Sequence, residues 1–206
     1  MFYWITMAFP RLVRTTDSPS AGALQERSDD DLMTLSQAGH REAFTALLTR
    51  HAERVVNLCS RFVNDGPLGR ELAQDTWVLV WQGRQKYRAE GAFVRWLVTV
   101  ARNHCRNHVR RNKTASDIGG DIDDVADLLP NSAEQLDALL IEERRRRVRR
   151  ALSELAAPMR EALLLRYAEG LRYDEMTSIA GTGESTLRSR VHHGLKLLKE
   201  KLERDS

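Results

Sequence analysis

Apolar positions recur at helical spacing from Ser28 almost to the end of the chain, and no stretch alternates with the period of two that a half-buried strand requires. Ser28 or Asp29 can cap a first helix with an acidic first turn, and Gly39 can end it. A longer helix follows, with Phe44, Leu47, Leu48, His51, Val55, Leu58, Cys59 and Phe62 on one side. Asn64-Asp65-Gly66 interrupts it, and Pro67 suits the first turn of a third helix. That helix carries Leu68, Leu72, Trp77, Val80 and Trp81 and stops at Gly83. Beyond a basic loop, Arg84 to Gly91, the spacing predicts a fourth helix from about Ala92 to Asn112. Phe93, Trp96, Leu97, Val100, Ala101, Cys105 and Val109 form its apolar side.

The pattern then lapses. Residues 113–135 are rich in Asp, Gly, Pro and Asn and read as a flexible, self-repelling linker. Helical spacing resumes, with Leu136, Leu139, Leu140, Val148 and Leu152 inward on a helix that runs to about Leu155. Pro158 opens the next helix, Met159 to Ala168, and Gly170 ends it. Tyr173, Met176, Ile179 and Ala180 then line one face of a short helix. Gly181 and Gly183 permit a tight turn. Leu187, Val191, Leu195, Leu198 and Leu202 form the inner face of a last helix. The expectation is an all-α protein of two small helical domains, 28–112 and 136–206, joined by an acidic linker and preceded by a disordered tail, 1–27.

Charge sharpens this picture. The 206 residues carry a formal net charge of only +3, but the charges are segregated. Arg84 to Lys113 holds nine Lys or Arg and one acid, Glu90; Thr114 to Asp137 holds seven acids and no Lys or Arg; Arg144 to Arg150 holds six Arg. Segregation on this scale bears on partners more than the total does. On the fourth helix Arg95, Arg102, Asn103, Arg106, Asn107, Arg110 and Arg111 lie opposite the apolar stripe, with Lys86, Tyr87, Phe93 and Trp96 beside them. Cations that track phosphates beside rings that stack on bases are what single-stranded nucleic acid requires.

The short helix, Gly turn and longer helix read as a helix-turn-helix. The outer face of its second helix shows Ser185, Thr186, Arg188, Ser189, Arg190, His192, His193 and Lys196. Short hydrogen-bonding groups mixed with cations suit base edges and flanking phosphates. The same spacing also fits an antiparallel helical pair with a solvated face. Gln74, Asp75, Trp77, Val78 and Trp81 mix polar groups with large apolar ones, which fits either a protein-docking surface or a helix buried on two sides.

Other chemistry is thinly signalled. Cys59 and Cys105, the only cysteines, form no CxxC pair and read as reduced thiols. His104 and His108 share a helix face, as zinc-binding pairs do, yet no further ligands stand at a recognisable spacing. No nucleotide motif or catalytic constellation is evident, so neither metal nor cofactor nor enzyme activity is expected. Met1 to Phe9 is apolar but short and without a basic flank, and no later run approaches a membrane span, so a cytoplasmic protein without membrane insertion is expected.

The whole arrangement resembles a bacterial sigma-70 family factor of the extracytoplasmic-function (group 4) class. Leu72-Ala73-Gln74-Asp75-Thr76-Trp77 through Trp81 is similar to the family's core-binding helix. Phe93-Val94-Arg95-Trp96-Leu97, Ala101-Arg102-Asn103 and Val109-Arg110-Arg111 resemble its −10 segment. Ala151 to Leu155 and Arg160 to Tyr167, with Glu169-Gly170-Leu171, resemble the opening of its C-terminal domain, and Thr186 to His192 its −35 recognition helix. The resemblance implies core RNA polymerase (β′ and β subunits) and promoter DNA as partners, and an anti-sigma factor as a candidate third. It implies that Gln74, Asp75, Trp77, Val78 and Trp81 dock on polymerase, that the segment Lys86 to Arg111 reads and opens the −10 element, and that the last helix reads the −35 element. Thr177, Thr182-Gly183 and Asn107 depart from the commonest family residues, which bears on the promoter read. The remaining alternatives are a duplex-binding regulator that uses the helix-turn-helix alone and a helical metalloenzyme built on His104 and His108.

Overall fold

The computed structural model describes residues 24–113, 143–144 and 146–204. Residues 1–23 of the expected tail, and the expected linker beyond Lys113, lie outside the described residues, as do Leu136, Leu139 and Leu140. Every regular element among the described residues is helical.

The first module is built on α2, Arg41–Val63. It packs against α1 (Asp29–Gln37), α3 (Gly66–Gly83) and α4 (Phe93–Lys113). Ser28 Oγ caps α1 by accepting the Asp31 amide at 3.1 Å, and Asp29, Asp30 and Asp31 set negative charge against the positive end of the helix dipole. Residues 24–27, assigned to the tail by composition, are instead held. Leu24 is buried, and the Arg50 guanidinium donates to the carbonyls of Gln25 and Arg27 at 2.8 and 3.0 Å. Asn64 ends α2 in the left-handed conformation, φ 58°, and Asp65 caps α3 by accepting the Leu68 amide at 2.8 Å. At Gly69 a Cβ would stand 2.3 Å from Ser60 Cα, so the approach of α3 to α2 admits no side chain there. The inward residues expected on α2 are buried apart from Phe62, which is half-buried.

In the second module, helical residues 146–153 (α5) lead into α6 (Ala157–Leu163), a π-helical turn at Leu164–Ala168, α7 (Tyr173–Ala180) and α8 (Glu184–Arg204). Two inward assignments are corrected. Val148 is 37% exposed, and the packed end of α5 is Ala151, with Leu155 just beyond it. Leu195 is 39% exposed because the inner stripe of α8 runs Leu187, Val191, Gly194 and Leu198. Gly194 faces α6 so closely that a Cβ would meet Leu163 Cδ1 at 3.1 Å.

The two modules pack against each other, their buried apolar residues joining in one cluster, and three charge pairs cross between them. Arg54 Nε lies 2.7 Å from Glu169 Oε2, Arg102 Nη2 lies 2.6 Å from Glu161 Oε1, and Arg95 Nη1 lies 3.3 Å from Glu175 Oε1.

Candidate nucleic-acid interface

On α4 the apolar period puts Phe93, Leu97, Val98, Ala101 and Cys105 into the core. By the same period Asn103, Arg106, Asn107, Arg110 and Arg111 are turned outward, and all five are exposed. No acidic residue lies on this helix, so the exposed part of its outer face, Asn103 to Arg111, carries cations with no acid of its own to balance them. Lys86, in a 3-10 turn at Arg84–Lys86, is exposed beside it.

The other expected members of this face are placed differently. Tyr87 is buried, with its ring 5.9 Å from Phe93 and 5.1 Å from Trp96, and its hydroxyl donates to Asp30 Oδ1 at 2.5 Å. Burial first, and then the Asp30 carboxylate, push the Tyr87 phenol well above its ordinary pKa. Trp96 is half-buried. Arg102 is only 5% exposed. Besides Glu161, it donates to Asn103 Oδ1 at 3.1 Å and to the Ile179 and Ala180 carbonyls at 2.9 and 3.3 Å. Those two carbonyls belong to the last turn of α7, the negative end of that helix, where a cation is favoured.

The helix-turn-helix is formed by α7 and α8. Gly181 takes φ 62° and closes α7, while Gly183 opens α8 by accepting the Leu187 amide through its carbonyl at 3.1 Å. Ser185, Thr186, Arg188, Ser189, His192, His193 and Lys196 are exposed along α8, and Arg190 is half-buried. Arg188 is oriented by two neighbours: it pairs with Glu184 Oε1 at 2.5 Å and lies 4.4 Å over the Tyr173 ring.

On α3 Gln74 and Asp75 are exposed and Val78 and Trp81 half-buried, whereas Trp77 belongs to the core, edge-on to Phe44 at 5.8 Å. Leu79, 39% exposed, is a large apolar side chain presented on this helix that the spacing did not single out. His104 Nε2 lies 3.6 Å from Asp75 Oδ2, and His108 Nε2 is 2.8 Å from Asn112 Nδ2. Among the described residues no three His, Cys, Asp or Glu side chains gather as a metal site. Cys59 and Cys105 are buried and free.

Sequence reasoning also missed α1 as a part of this region. Gln37 Nε2 donates to the carbonyls of Arg84 and Tyr87 at 2.8 and 2.9 Å, and Asp30 Oδ2 accepts the Gly91 amide at 2.5 Å. Its acidic first turn was legible only as a helix start.

Comparison with known proteins matches residues 47–115 to Sigma-70 region 2 and residues 145–198 to Sigma-70, region 4. The RNA polymerase sigma factor CarQ of Myxococcus xanthus is 32% identical over 164 residues, covering 80% of this chain and 91% of the relative. The ECF RNA polymerase sigma-E factor of Escherichia coli K12 is 27% identical over 192 residues, covering 87% of this chain and 96% of the relative. The sigma factor RpoE from Bartonella quintana, solved in complex with the anti-sigma factor NepR, shares the fold at a TM-score of 0.61 and 24% identity, over 79% of this chain and 98% of that one. Matches to both regions in the right order, and a relative of this identity along nearly its whole length, establish that the chain belongs to the sigma-70 family, in its extracytoplasmic-function class.

Proposed function

We propose that this sigma factor directs promoter-specific transcription initiation by binding alone, through three surfaces on two modules, 28–112 and 136–206. Gln74, Asp75 and Val78, with Trp81 at the edge, would dock on core RNA polymerase; Trp77 would hold that helix from within. Lys86, Asn103, Arg106, Asn107, Arg110 and Arg111 would track the −10 strand, with Trp96 and Tyr87 behind them and Arg102 available once the modules separate. Ser185, Thr186, Arg188, Ser189, Arg190, His192, His193 and Lys196 would read the −35 element in the major groove.

The observation that carries this reading is the acid-free cationic face of α4, exposed from Asn103 to Arg111, in a chain that also bears a helix-turn-helix. A regulator of duplex DNA has no need of a second cationic face apart from its helix-turn-helix. Strand opening costs about 1.4 kcal/mol per base step; stacking of one base on the half-buried Trp96, worth about 1–3 kcal/mol, together with phosphate contacts along the cationic face, would offset local melting of a step or two without a chemical energy source. The −10 and −35 elements are about 25 base pairs apart, or about 85 Å at about 34 Å per turn. Arg102, Arg106 and Arg190 line one cleft, so with Arg102 bonded to the end of α7 the two faces adjoin, and promoter binding would require the modules to part. The acidic stretch between them would then lie in a basic channel of polymerase as a mimic of nucleic-acid charge. Work in the cytoplasm follows from a polymerase partner. An anti-sigma factor, the partner in the RpoE complex, is proposed here as well.

Reconstitution with core polymerase on a promoter library, followed by sequencing of transcript starts, tests the reading. Starts that share two elements at fixed spacing are expected. Promoter action by the chain without core polymerase would overturn it.

A further inference from the structure

The loop between α3 and α4 is fixed by a helix that lies before the segment matched to Sigma-70 region 2. One carboxylate, that of Asp30, accepts both the Tyr87 hydroxyl and the Gly91 amide, each at 2.5 Å. These two groups flank Arg88, Ala89 and Glu90, which are all exposed. The Glu90 amide donates back to the Arg88 carbonyl at 3.0 Å, so the intervening chain is a tight projection. Gly91, at φ 69°, supplies the left-handed angle that returns the chain to α4. At its other end the loop is tied to the C-terminal half of α1. Gln37 Nε2 donates to the carbonyls of Arg84 and Tyr87, Gln85 Nε2 donates to the Gln37 carbonyl at 2.8 Å, and Arg84 Nε to the Ser36 carbonyl at 3.3 Å.

We propose that Asp30, with Gln37, is a positioning residue for promoter specificity: it pinches the loop at Tyr87 and Gly91 so that Arg88, Ala89 and Glu90 are presented to the −10 strand in one conformation. Hydrogen bonds to an ionised carboxylate are stronger than neutral ones, and two that converge on one group constrain both ends of a short loop. A loop held in one shape discriminates between extruded bases, because a wrong base leaves its polar edge unpaired. A loose loop adapts to any base. Asp30 would touch no DNA and act entirely through the loop. The proposal rests on the assignment of the Lys86–Arg111 region to the −10 element.

The test uses holoenzyme made with the full chain carrying Asp30→Asn, or separately Tyr87→Phe, on a library randomised at the −10 region. Core affinity and −35 preference are measured in parallel, and the phenol titration of Tyr87 is followed by ultraviolet absorbance to show that the pinch has been released. The expected result is a loss of at least about fivefold in −10 base discrimination in both variants, with core affinity and −35 preference unchanged and the Asp30→Asn phenol titrating at lower pH. Unchanged −10 discrimination alongside a shifted phenol titration overturns the proposal. A parallel fall in core affinity, −35 preference and −10 discrimination also overturns it, since Asp30 would then only support the fold. Lys86→Ala and Arg106→Ala holoenzymes are assayed beside them. If neither alters use of the −10 element, the underlying assignment fails, and the positioning role with it.

Discussion

Replacing Glu161 by Ala should release the two modules from each other while leaving each folded. Arg102 is 5% exposed, and Glu161 Oε1 receives both its Nε, at 2.7 Å, and its Nη2, at 2.6 Å. Removing one partner of a buried ion pair costs about 3–5 kcal/mol. Two features lower that figure here. The Ile179 and Ala180 carbonyls and Asn103 Oδ1 remain as acceptors, and the Glu161 side chain is 22% exposed, so water already screens part of the attraction. The expected loss is about 2–3 kcal/mol, which shifts the closed-to-separated ratio by about 30–150-fold. Small-angle scattering of the full chain at low salt would read this as a larger radius of gyration, since the stretch of about 30 residues between Lys113 and Glu143 can reach about 100 Å when extended. Helical content by circular dichroism should not change, because Glu161 belongs to neither module's core. A scattering profile identical to that of the unaltered chain would refute the reasoning and show that Arg102 and Glu161 do not hold the modules together.

Other substitutions check separate parts of the account. Gly69→Ala should lower thermal stability by about 1–3 kcal/mol, because its Cβ meets Ser60 Cα at 2.3 Å, whereas Gly194→Ala, which meets side-chain atoms of Leu163 at 3.1 and 3.3 Å and Met159 Cβ at 3.5 Å rather than backbone, should cost less; equal melting shifts would contradict the packing argument. Burial, helped by Arg54 and Arg50 and opposed by Asp29, holds the His51 imidazole below its ordinary pKa. Its contribution to stability is therefore full above about pH 6.5 and is lost as pH falls through the lower folded value; a His51→Gln variant should show a flatter melting profile between pH 7.5 and 5.5. In holoenzyme, Arg106→Ala or Arg111→Ala should each reduce the slope of log affinity against log salt for single-stranded −10 DNA by about 0.7 if each meets a phosphate. Arg188→Ala should lower promoter affinity by about 1–3 kcal/mol if the guanidinium contacts a base, measured by competition between promoters differing only at the −35 element.

What the sequence revealed and what it hid divide along physical lines. Helix positions were legible because burial imposes the 3.6-residue period directly on residue choice, as at Phe44, Leu47, Val55 and Leu58 of α2. Breaks were legible because Asn64 and Gly181 occupy left-handed angles that few residues tolerate. The α8 stripe misled at Leu195 because the true contact is made by a residue with no side chain, Gly194, and hydrophobicity cannot register a glycine chosen for its smallness. Tyr87 was grouped with the cationic face, and Trp77 was left between a docking surface and a helix buried on two sides, because an aromatic ring carries no mark of which neighbour will cover it. Asp30 was invisible as a loop anchor since its partners, Tyr87 and Gly91, lie about sixty positions away.

Arg102 shows the limit most sharply. The sequence gives the sign of a charge, and a strip of cations with no acids among them points to an anionic partner. It does not specify which anion. On α4 that question has two answers from one helix: Arg102 and Arg95 meet Glu161 and Glu175 of the other module, while Asn103, Arg106 and Arg111 face solvent. Two glutamates and the negative end of α7 occupy part of a face suited to phosphates. An intramolecular acid is present at an effective concentration set by the tether, whereas DNA is not. Separation of the modules on polymerase would remove that competitor and add Arg102 to the exposed strip in a single step, so the cations available to DNA depend on how the modules are arranged as well as on how many the sequence contains.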